Sequence, residues 1–395
     1  MNEQLLATFN AGSSTVKIGL FALENGHARR IGKGKIDFRK TPLSFELLEG
    51  PDHFDVQLTA EPGEQLDEVL AEAFDRLSWH YDIKQVAAVG HRVVHGGDTF
   101  AGPVAIDDGV LSQIEALVPL APLHQPQAIR LIRAISRLRP ELRQSASFDT
   151  AFHRTNTDVV RRFALPRELF DKGIKRYGFH GLSYKFIAGE LARRGLDCAR
   201  GKVAAAHLGS GASLCALDAG ESRDSSMGFS TLDGIPMATR CGALDAGVVL
   251  HLQQQMGLSV GDVEDTLYHR SGLLGLSGLS ADSRELIASK RPEAEEALKV
   301  FAFRIAGEIA RLAATLGGLD AIVFTAGIGE HQPEIRAMVC NRLGWLGVTL
   351  DHAANARNAP AINDATSRVG VFVIPTDEEQ VIADEALQVL TPDAA

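Results

Sequence analysis

At 395 residues the chain exceeds one typical hydrophobic core, so two lobes are expected. A content of 45% hydrophobic and 23% charged residues is a globular average, and a net charge of -10 with no basic block argues against nucleic acid or an anionic membrane as partner. No run of about 18 apolar residues is present; the N-terminus enters a strand without a signal peptide's basic and apolar regions, and Cys198, Cys215, Cys241 and Cys340 form no CxxC pair, so a cytoplasmic protein with reduced thiols is expected.

In chain order, Leu5 to Leu23 (LLATFNAGSSTVKIGLFAL) has Leu5, Ala7 and Phe9 on one face before a polar turn, and Val16, Ile18 and Leu20 on one face after it. This period of two predicts a hairpin. The turn, Asn10 to Thr15, offers a glycine able to take positive φ, hydroxyls and backbone N–H groups, with Lys17 beyond it; it reads either as an ordinary hairpin turn or as a phosphate cradle. Further strand is expected over Ile31 to Leu48, a helix over Glu64 to Leu77 and a buried strand over Gln85 to Gly90. That strand opens into His91-Arg92-Val93-Val94-His95-Gly96-Gly97. The two histidines do not make a zinc-protease HExxH, and the plainer reading is that they orient Arg92. Helices follow over Asp107 to Leu117 and Pro126 to Leu138, with Leu123 and His124 in the loop between. The strand Ser145 to Thr150 carries Asp149 near its end.

The expected lobe boundary lies here: 1–150 plus 380–395 in the N-terminal lobe, 151–379 in the C-terminal lobe. Lys175 to Leu182 is a turn holding Phe179 and His180, and Ser183 is the expected N-cap of the next helix. His180 reads either as a packed core histidine or as a donor to a developing equatorial oxygen. Lys202 to Ala219 repeats the opening pattern, with Gly209-Ser210-Gly211 where Gly12 stood, about half the chain earlier. A repeated supersecondary unit implies a duplicated domain, with two Gly-Ser hairpins facing across a cleft that holds a nucleotide's phosphates. Ser225 to Gly247 is a glycine-rich loop with Arg240. Helices are expected near Gly247 to Met256, Gly261 to Arg270 and Ser280 to Ser289, and Leu298 to Leu316 reads as a buried central helix. Asp320 to Thr325 is a buried strand opening into a Gly327-Ile328-Gly329-Glu330 turn at a helix N-terminus. A strand over Val369 to Ile374, a Pro375-Thr376-Asp377-Glu378-Glu379 turn and a helix over Gln380 to Leu390 complete the chain. Neither a GxxxxGK[ST] loop nor a third glycine after Gly329 is present, which excludes a Walker loop and a dinucleotide fingerprint.

Taken together, FNAGSSTVK, HRVVHGG, PLHQP, FDTAFH, RYGFHG, HLGSGAS, DGIPMATRCG, TAGIGEH and PTDEE resemble, in order, the motifs of the acetate kinase family of short-chain acyl kinases. The resemblance implies an α/β fold of two duplicated ribonuclease H-like βββαβαβα lobes, as in sugar kinases, the heat-shock chaperone and actin. It implies reversible ATP-dependent phosphorylation of acetate, or of propionate or butyrate, by direct in-line transfer. ATP/ADP and Mg²⁺, with Mn²⁺ as a substitute, are the implied cofactors, and a homodimer the implied assembly. The family pattern assigns Asn10 and Glu378 to the metal and Lys17 to the nucleotide phosphates. It assigns Arg92 to the acyl substrate, Asp149 as catalytic carboxylate, and His180 and Arg240 to the transition state. His207, Leu208, Gly209, Ser210, Gly211, Asp282, Ser283, Arg284, Gly327, Ile328, Gly329, Glu330 and His331 fall to ATP; Val94, Leu123 and Phe179 to an acyl pocket, with His124 beside it.

Three positions depart from the pattern: Ser210 where Asn is usual, Thr231 where Pro is usual at the pocket wall, and Ala243 where Asp is common. Ser210 loses an amide donor, and Thr231 bears on chain-length preference. A reading of another class, a nucleotide-regulated binding protein of the same superfamily, would call for an inserted binding domain or filament-forming insertions, which this sequence lacks.

Overall fold

The computed structural model describes residues 4–12, 15–38, 42–49, 52–59 and 66–390. Ser13 and Ser14 of the first hairpin turn lie outside them. The chain divides into two compact units, 1–152 with 377–395, and 153–376.

Unit 1 is built on a mixed sheet. Its elements are β1 (Leu5–Ala11), β2 (Thr15–Glu24), β3 (His27–Asp37), β4 (Ser44–Glu49), β5 (Asp52–Gln57), α1 (Leu66–Leu77), β6 (Val86–Val93), β7 (Val104–Ala105), α2 (Asp108–Ala116), α3 (Gln125–Leu138) and β8 (Arg143–Phe148). The strand order is β5-β4-β3-β2-β1-β6-β8-β7, with β1 antiparallel to β2 and parallel to β6. The period-two pattern of β1 decides what each face does. Leu5, Ala7 and Phe9 pack with Val69, Leu70 and Ala73 of α1 and Leu131, Ala134 and Ile135 of α3. A leucine or phenylalanine so buried contributes about 1.5–3 kcal/mol. Leu6 points to the other face, with Ala383, Ala386 and Leu390. Asn10 shares that second face by parity.

Unit 2 holds α4 (Asp158–Arg161), α5 (Arg167–Asp171), α6 (Gly181–Arg193), β9 (Lys202–Leu208), β10 (Ala212–Asp218), β11 (Glu221–Ser225), α7 (Ala246–Gln254), α8 (Val260–His269), α9 (Gly272–Ser277), α10 (Ser283–Ala288), α11 (Pro292–Leu316), β12 (Ala321–Thr325), α12 (Ala326–His331), α13 (Pro333–Cys340), α14 (His352–Ala356) and β13 (Gly370–Val373). Its sheet runs β11-β10-β9-β12-β13. Strands β9 and β10 are antiparallel, while β12 is parallel to both β9 and β13. Unit 1 repeats this order and these directions in β3-β2-β1-β6-β8, with β6 parallel to β8. The duplication implied by two similar hairpins therefore extends to the whole sheet. The last helix, α15 (Glu378–Leu390), returns to unit 1 and covers its second face. Gly90 allows this cover: a Cβ there would stand 2.7 Å from Ile382 Cγ2.

Several local expectations change. Ser183 is not an N-cap; the helix starts at Gly181 and His180 caps it in a left-handed conformation, φ 56°. The Gly327 to Glu330 turn is helical, and Glu378 lies in the first turn of α15 rather than in a loop. Helix α11 begins at Pro292 and is not apolar all round, since Lys299, Arg304 and Arg311 are exposed. The helix expected over Ser280 to Ser289 forms as the short α10, and α9 precedes it where no helix was expected. Gly12 does not adopt positive φ; its N–H donates to the Thr15 carbonyl at 2.8 Å, closing the turn. In the second hairpin the Gly209 N–H likewise donates to the Gly211 carbonyl, at 3.1 Å.

Candidate active site

In unit 1 the site grows from strand ends on the face under α15. Arg92 stands two residues after Gly90 on β6, and Asp149 directly follows β8. Arg92 Nε donates to both Asp149 oxygens, at 3.2 and 3.1 Å, and Nη2 donates to Oδ2 at 2.6 Å. Nη1 donates to Asn10 Oδ1 at 3.2 Å and to the Ala11 carbonyl at 3.4 Å. A guanidinium has five N–H groups. Among the described residues this leaves one Nη2 hydrogen for a ligand. Asn10 passes the network on, its Nδ2 donating to Glu378 Oε2 and Glu379 Oε1, both at 2.8 Å. Burial opposes the Arg92 charge, but Asp149 and then Glu378 outweigh it and hold the guanidinium above its ordinary value. Asp149 is fully buried and Glu378 is 8% exposed. Lys17 is exposed, its Nζ 3.9 Å from Glu379.

The donors clustered at Asn10, Glu378 and Glu379 are oxygens apart from the one amide that links them. Among the described residues no group of three or more His, Cys, Asp or Glu forms a cage for a metal. The carboxylate oxygens of Glu378 and Glu379 are of the type that suits a hard dication such as Mg²⁺, which is bound through one or two carboxylates and phosphate oxygens and keeps most of its waters.

His91 and His95 do not orient Arg92. His91 Nε2 donates to the Gln144 side-chain oxygen at 2.7 Å, and His95 Nδ1 accepts the Gly97 N–H at 3.0 Å. Burial lowers each pKa to about 4, so both are neutral at pH 7. The residue that sequence reasoning missed here is Gln125. Its amide donates to the His95 carbonyl and accepts the His95 N–H, tying the HRVVHGG loop to α3. Of the acyl-pocket candidates in unit 1, Val94 is buried, Leu123 is 39% exposed and His124 is half-buried at the start of α3.

In unit 2 the second hairpin turn gathers three side chains. A Cβ on Gly211 would lie 3.5 Å from His180 Nε2 and 3.9 Å from Arg240 Nη1; one on Gly209 would lie 3.8 Å from His207 Nε2. Both imidazole Nε2 edges and the guanidinium therefore converge on the Gly209-Ser210-Gly211 turn. The rings of His180 and His207 are stacked, centroids 4.2 Å apart and 14° from parallel. Arg240 Nη1 donates to the Thr231 carbonyl at 3.1 Å. The Ser210 side is exposed, and its carbonyl accepts the Ala238 N–H at 3.1 Å. Leu208 is buried in β9. Two imidazole Nε2 edges and a guanidinium gathered at a glycine turn are groups whose chemistry suits an anion.

Behind them is His153, which the sequence reading left without a role. Its Nε2 donates to the Phe179 carbonyl at 3.0 Å and its Nδ1 accepts from Ser222 Oγ at 2.8 Å. Burial lowers its pKa to about 4. Gly178, at φ 83°, gives it room: a Cβ there would stand 2.5 Å from His153 Cγ. Phe179 is buried and Thr231 half-buried.

The remaining nucleotide candidates also lie in unit 2. Asp282 caps α10, and the Arg284 side chain bends back onto it, Nη2 to Oδ2 2.5 Å. Ser283 is buried and accepts from Gln332 Nε2 at 2.8 Å. Gly327, Ile328, Gly329 and Glu330 form α12, and a Cβ on Gly327 would meet nothing within 4 Å. Glu330 Oε1 accepts the Thr376 N–H at 3.2 Å, and His331 is exposed.

A model of the acetokinase family matches residues 5–384. The chain belongs to the acetokinase family. It is 46% identical to an acetate kinase of Rhodopseudomonas palustris over 96% of this chain and 97% of that one. It is also 46% identical to an acetate kinase of Methylocella silvestris over the full length of both. Among solved structures it resembles a propionate kinase from Francisella tularensis, TM-score 0.91 and 34% identity, over 98% of this chain and all of the other. It also resembles the Porphyromonas gingivalis acetate kinase, TM-score 0.86 and 32% identity, with the same coverage. The fold is that of these kinases, and as a member of the acetokinase family the chain is an ATP-using kinase.

Proposed function

We propose that the chain catalyses ATP + acetate ⇌ ADP + acetyl phosphate by direct in-line transfer. The observation that carries the reading is identity of 46% to acetate kinases over essentially the whole length. The chemistry of the residues agrees with it. Acetate is ionised at pH 7, so its oxygen attacks without a general base. What must be overcome is repulsion among carboxylate and phosphates, and this chain supplies cations and N–H donors for that purpose. Arg92 holds the acyl substrate through its remaining Nη2 hydrogen, and Asp149 fixes the guanidinium that does so. His180 and Arg240 donate to the transferring phosphoryl group. Lys17, the Gly209-Ser210-Gly211 turn, His207, the Asp282 to Arg284 segment and α12 contact the nucleotide. Asn10, Glu378 and Glu379 hold Mg²⁺, which when bound neutralises phosphate charge.

A second reading, propionate kinase, is favoured by the likeness to the Francisella tularensis enzyme, and Thr231 is the pocket residue that bears on it. One methylene is worth only about 1–3 kcal/mol of discrimination. Trapping the acyl phosphate as hydroxamate with acetate, propionate and butyrate ranks the substrates by kcat/KM. Acetate is expected to lead; equal or better turnover of propionate moves the assignment. ATP hydrolysis that no carboxylate stimulates would instead favour a nucleotide-regulated binding protein.

We further infer a cytoplasmic homodimer. None of the four cysteines forms a disulfide, and among the described residues no helix is long and apolar enough to cross a membrane. Exposed Val248, Leu250, Met256 and Val260 on α7, α8 and their connection give a second copy an apolar surface to cover. Light scattering at twice the chain mass is the expected result.

A further inference from the structure

We propose that Tyr184 and Ser213 are positioning residues that set the tautomer of His180, so that a neutral imidazole presents its Nε2 proton to the phosphoryl oxygens; this rests on the reading of His180 as a transition-state donor. Tyr184 lies four residues after His180 on α6 and is fully buried. Its hydroxyl is 2.5 Å from Ser213 Oγ, and Ser213 Oγ is 2.8 Å from His180 Nδ1. Ser213 is also fully buried, and the β9–β10 register sets it opposite His207.

The serine hydroxyl has one proton to place. A phenol is the better donor of the two hydroxyls, and when Tyr184 donates to Ser213 the serine proton turns to Nδ1. The imidazole proton then resides on Nε2, the edge that faces the Gly211 turn beside Arg240. With the opposite polarity Nε2 would show a lone pair to an anion and repel it. The order Tyr184 to Ser213 to His180 thus turns an ambivalent ring into a donor without giving it a charge.

His207 repeats the arrangement. Its Nδ1 is 2.8 Å from Ser183 Oγ, which is 2.9 Å from Thr376 Oγ1. Each stacked ring is therefore bonded at Nδ1 to a serine hydroxyl, with its Nε2 over the glycine turn. Two imidazolium cations at the observed 4.2 Å spacing would repel each other, which favours neutral donors in this pair. The left-handed φ of His180 shows the surroundings holding this residue in a costly conformation.

The test uses ¹⁵N-histidine-labelled full-length protein, with the His180 signal identified by its loss in His180→Ala. The expected wild-type signature is an unprotonated Nδ1 and a protonated Nε2. Ser213→Ala is expected to move both nitrogens toward exchange-averaged values and to lower kcat about tenfold, the population shift an ordinary hydrogen bond sustains. Tyr184→Phe, which removes one oxygen and keeps the ring, is expected to lower kcat about threefold. KM for ATP and for acetate stays unchanged in both. A protonated Nδ1 in the wild type overturns the proposal, as does turnover within twofold of wild type in both variants. Should Ser213→Ala not fold, Tyr184→Phe and the wild-type signature decide alone. Wild-type turnover in His180→Ala refutes the donor role of His180, and the ¹⁵N signature then still decides the tautomer.

Discussion

Arg92 spans both carboxylate oxygens of Asp149, so the cation proposed to hold the acyl substrate is braced by a buried anion. A neutral amide in place of Asp149 can accept from the guanidinium but not balance its charge. Asp149→Asn is expected to lower kcat for acetyl phosphate formation about 10²–10³-fold, the scale of losing one preorganised transition-state donor. Steady-state kinetics on folded variant checks this, and a change of less than about tenfold removes Asp149 from the chemistry.

Arg240 reaches the Gly211 turn while braced on the Thr231 carbonyl. Arg240→Ala is expected to cost about 10²–10³ in kcat with nucleotide affinity nearly unchanged, because the lost contacts matter most when charge develops on the phosphoryl oxygens. Nucleotide titration by fluorescence, run beside turnover, separates the two quantities. Loss of ATP binding in parallel with turnover would make Arg240 a ground-state contact instead.

Ser210 is exposed at the tip of the second hairpin, with its carbonyl already engaged by Ala238. Ser210→Asn restores an amide donor without disturbing that backbone bond. KM for ATP is expected to fall by about two- to tenfold, the worth of one net hydrogen bond. An unchanged or raised KM argues that the side chain at 210 does not meet the nucleotide.

Glu378 accepts the Asn10 amide in the cluster proposed to hold Mg²⁺. Glu378→Gln removes one charge and keeps the shape. The Mg²⁺ concentration for half-maximal activity is expected to rise about tenfold or more, and chelation is expected to abolish activity in both proteins. An unshifted Mg²⁺ titration would move the metal away from Glu378.

His91, His95 and His153 are buried neutral, each lowered from 6.5 to about 4 chiefly by burial. An unfolded chain takes up protons on these rings below about pH 6.5, where the native protein does not. Stability is therefore expected to fall as pH drops from about 6.5 to about 4, by about 3 kcal/mol for each ring, and to show no further loss from them below that. Urea unfolding across this range measures it; a midpoint that does not move would contradict the neutral burial of these rings.

Some of this was legible in the residues themselves. Alternation along β1 set Phe9 and Asn10 on opposite faces, which is why one meets the α1–α3 core and the other meets Glu378. The echo of Gly12 at Gly209 announced a duplication that the matching strand orders extend. What could not be read was anything created by contact between distant segments. Ser213 and Tyr184 gain meaning only when β10 lies against α6, and His153 only when its ring reaches the Phe179 carbonyl. The glycines misled in a particular way. Gly12 and the Gly327 to Gly329 run suggested unusual backbone, yet Gly12 has ordinary φ and the run is helical. At Gly90 the missing side chain is needed for space beneath α15, and at Gly178 both for space beside His153 and for a positive φ.

Helix α15 carries a consequence for how the protein is made. It closes the face of unit 1 that bears Asn10, yet its residues follow all of unit 2 in the chain. During synthesis residues 153–376 are complete before Glu378 has left the ribosome. The first part of unit 1 waits with Leu6, Phe21 and Ala88 uncovered while 224 residues of another body are translated and folded. Nascent chains stalled before α15 are then the species a chaperone would hold, and Asn10 gains its Glu378 and Glu379 partners only with that helix.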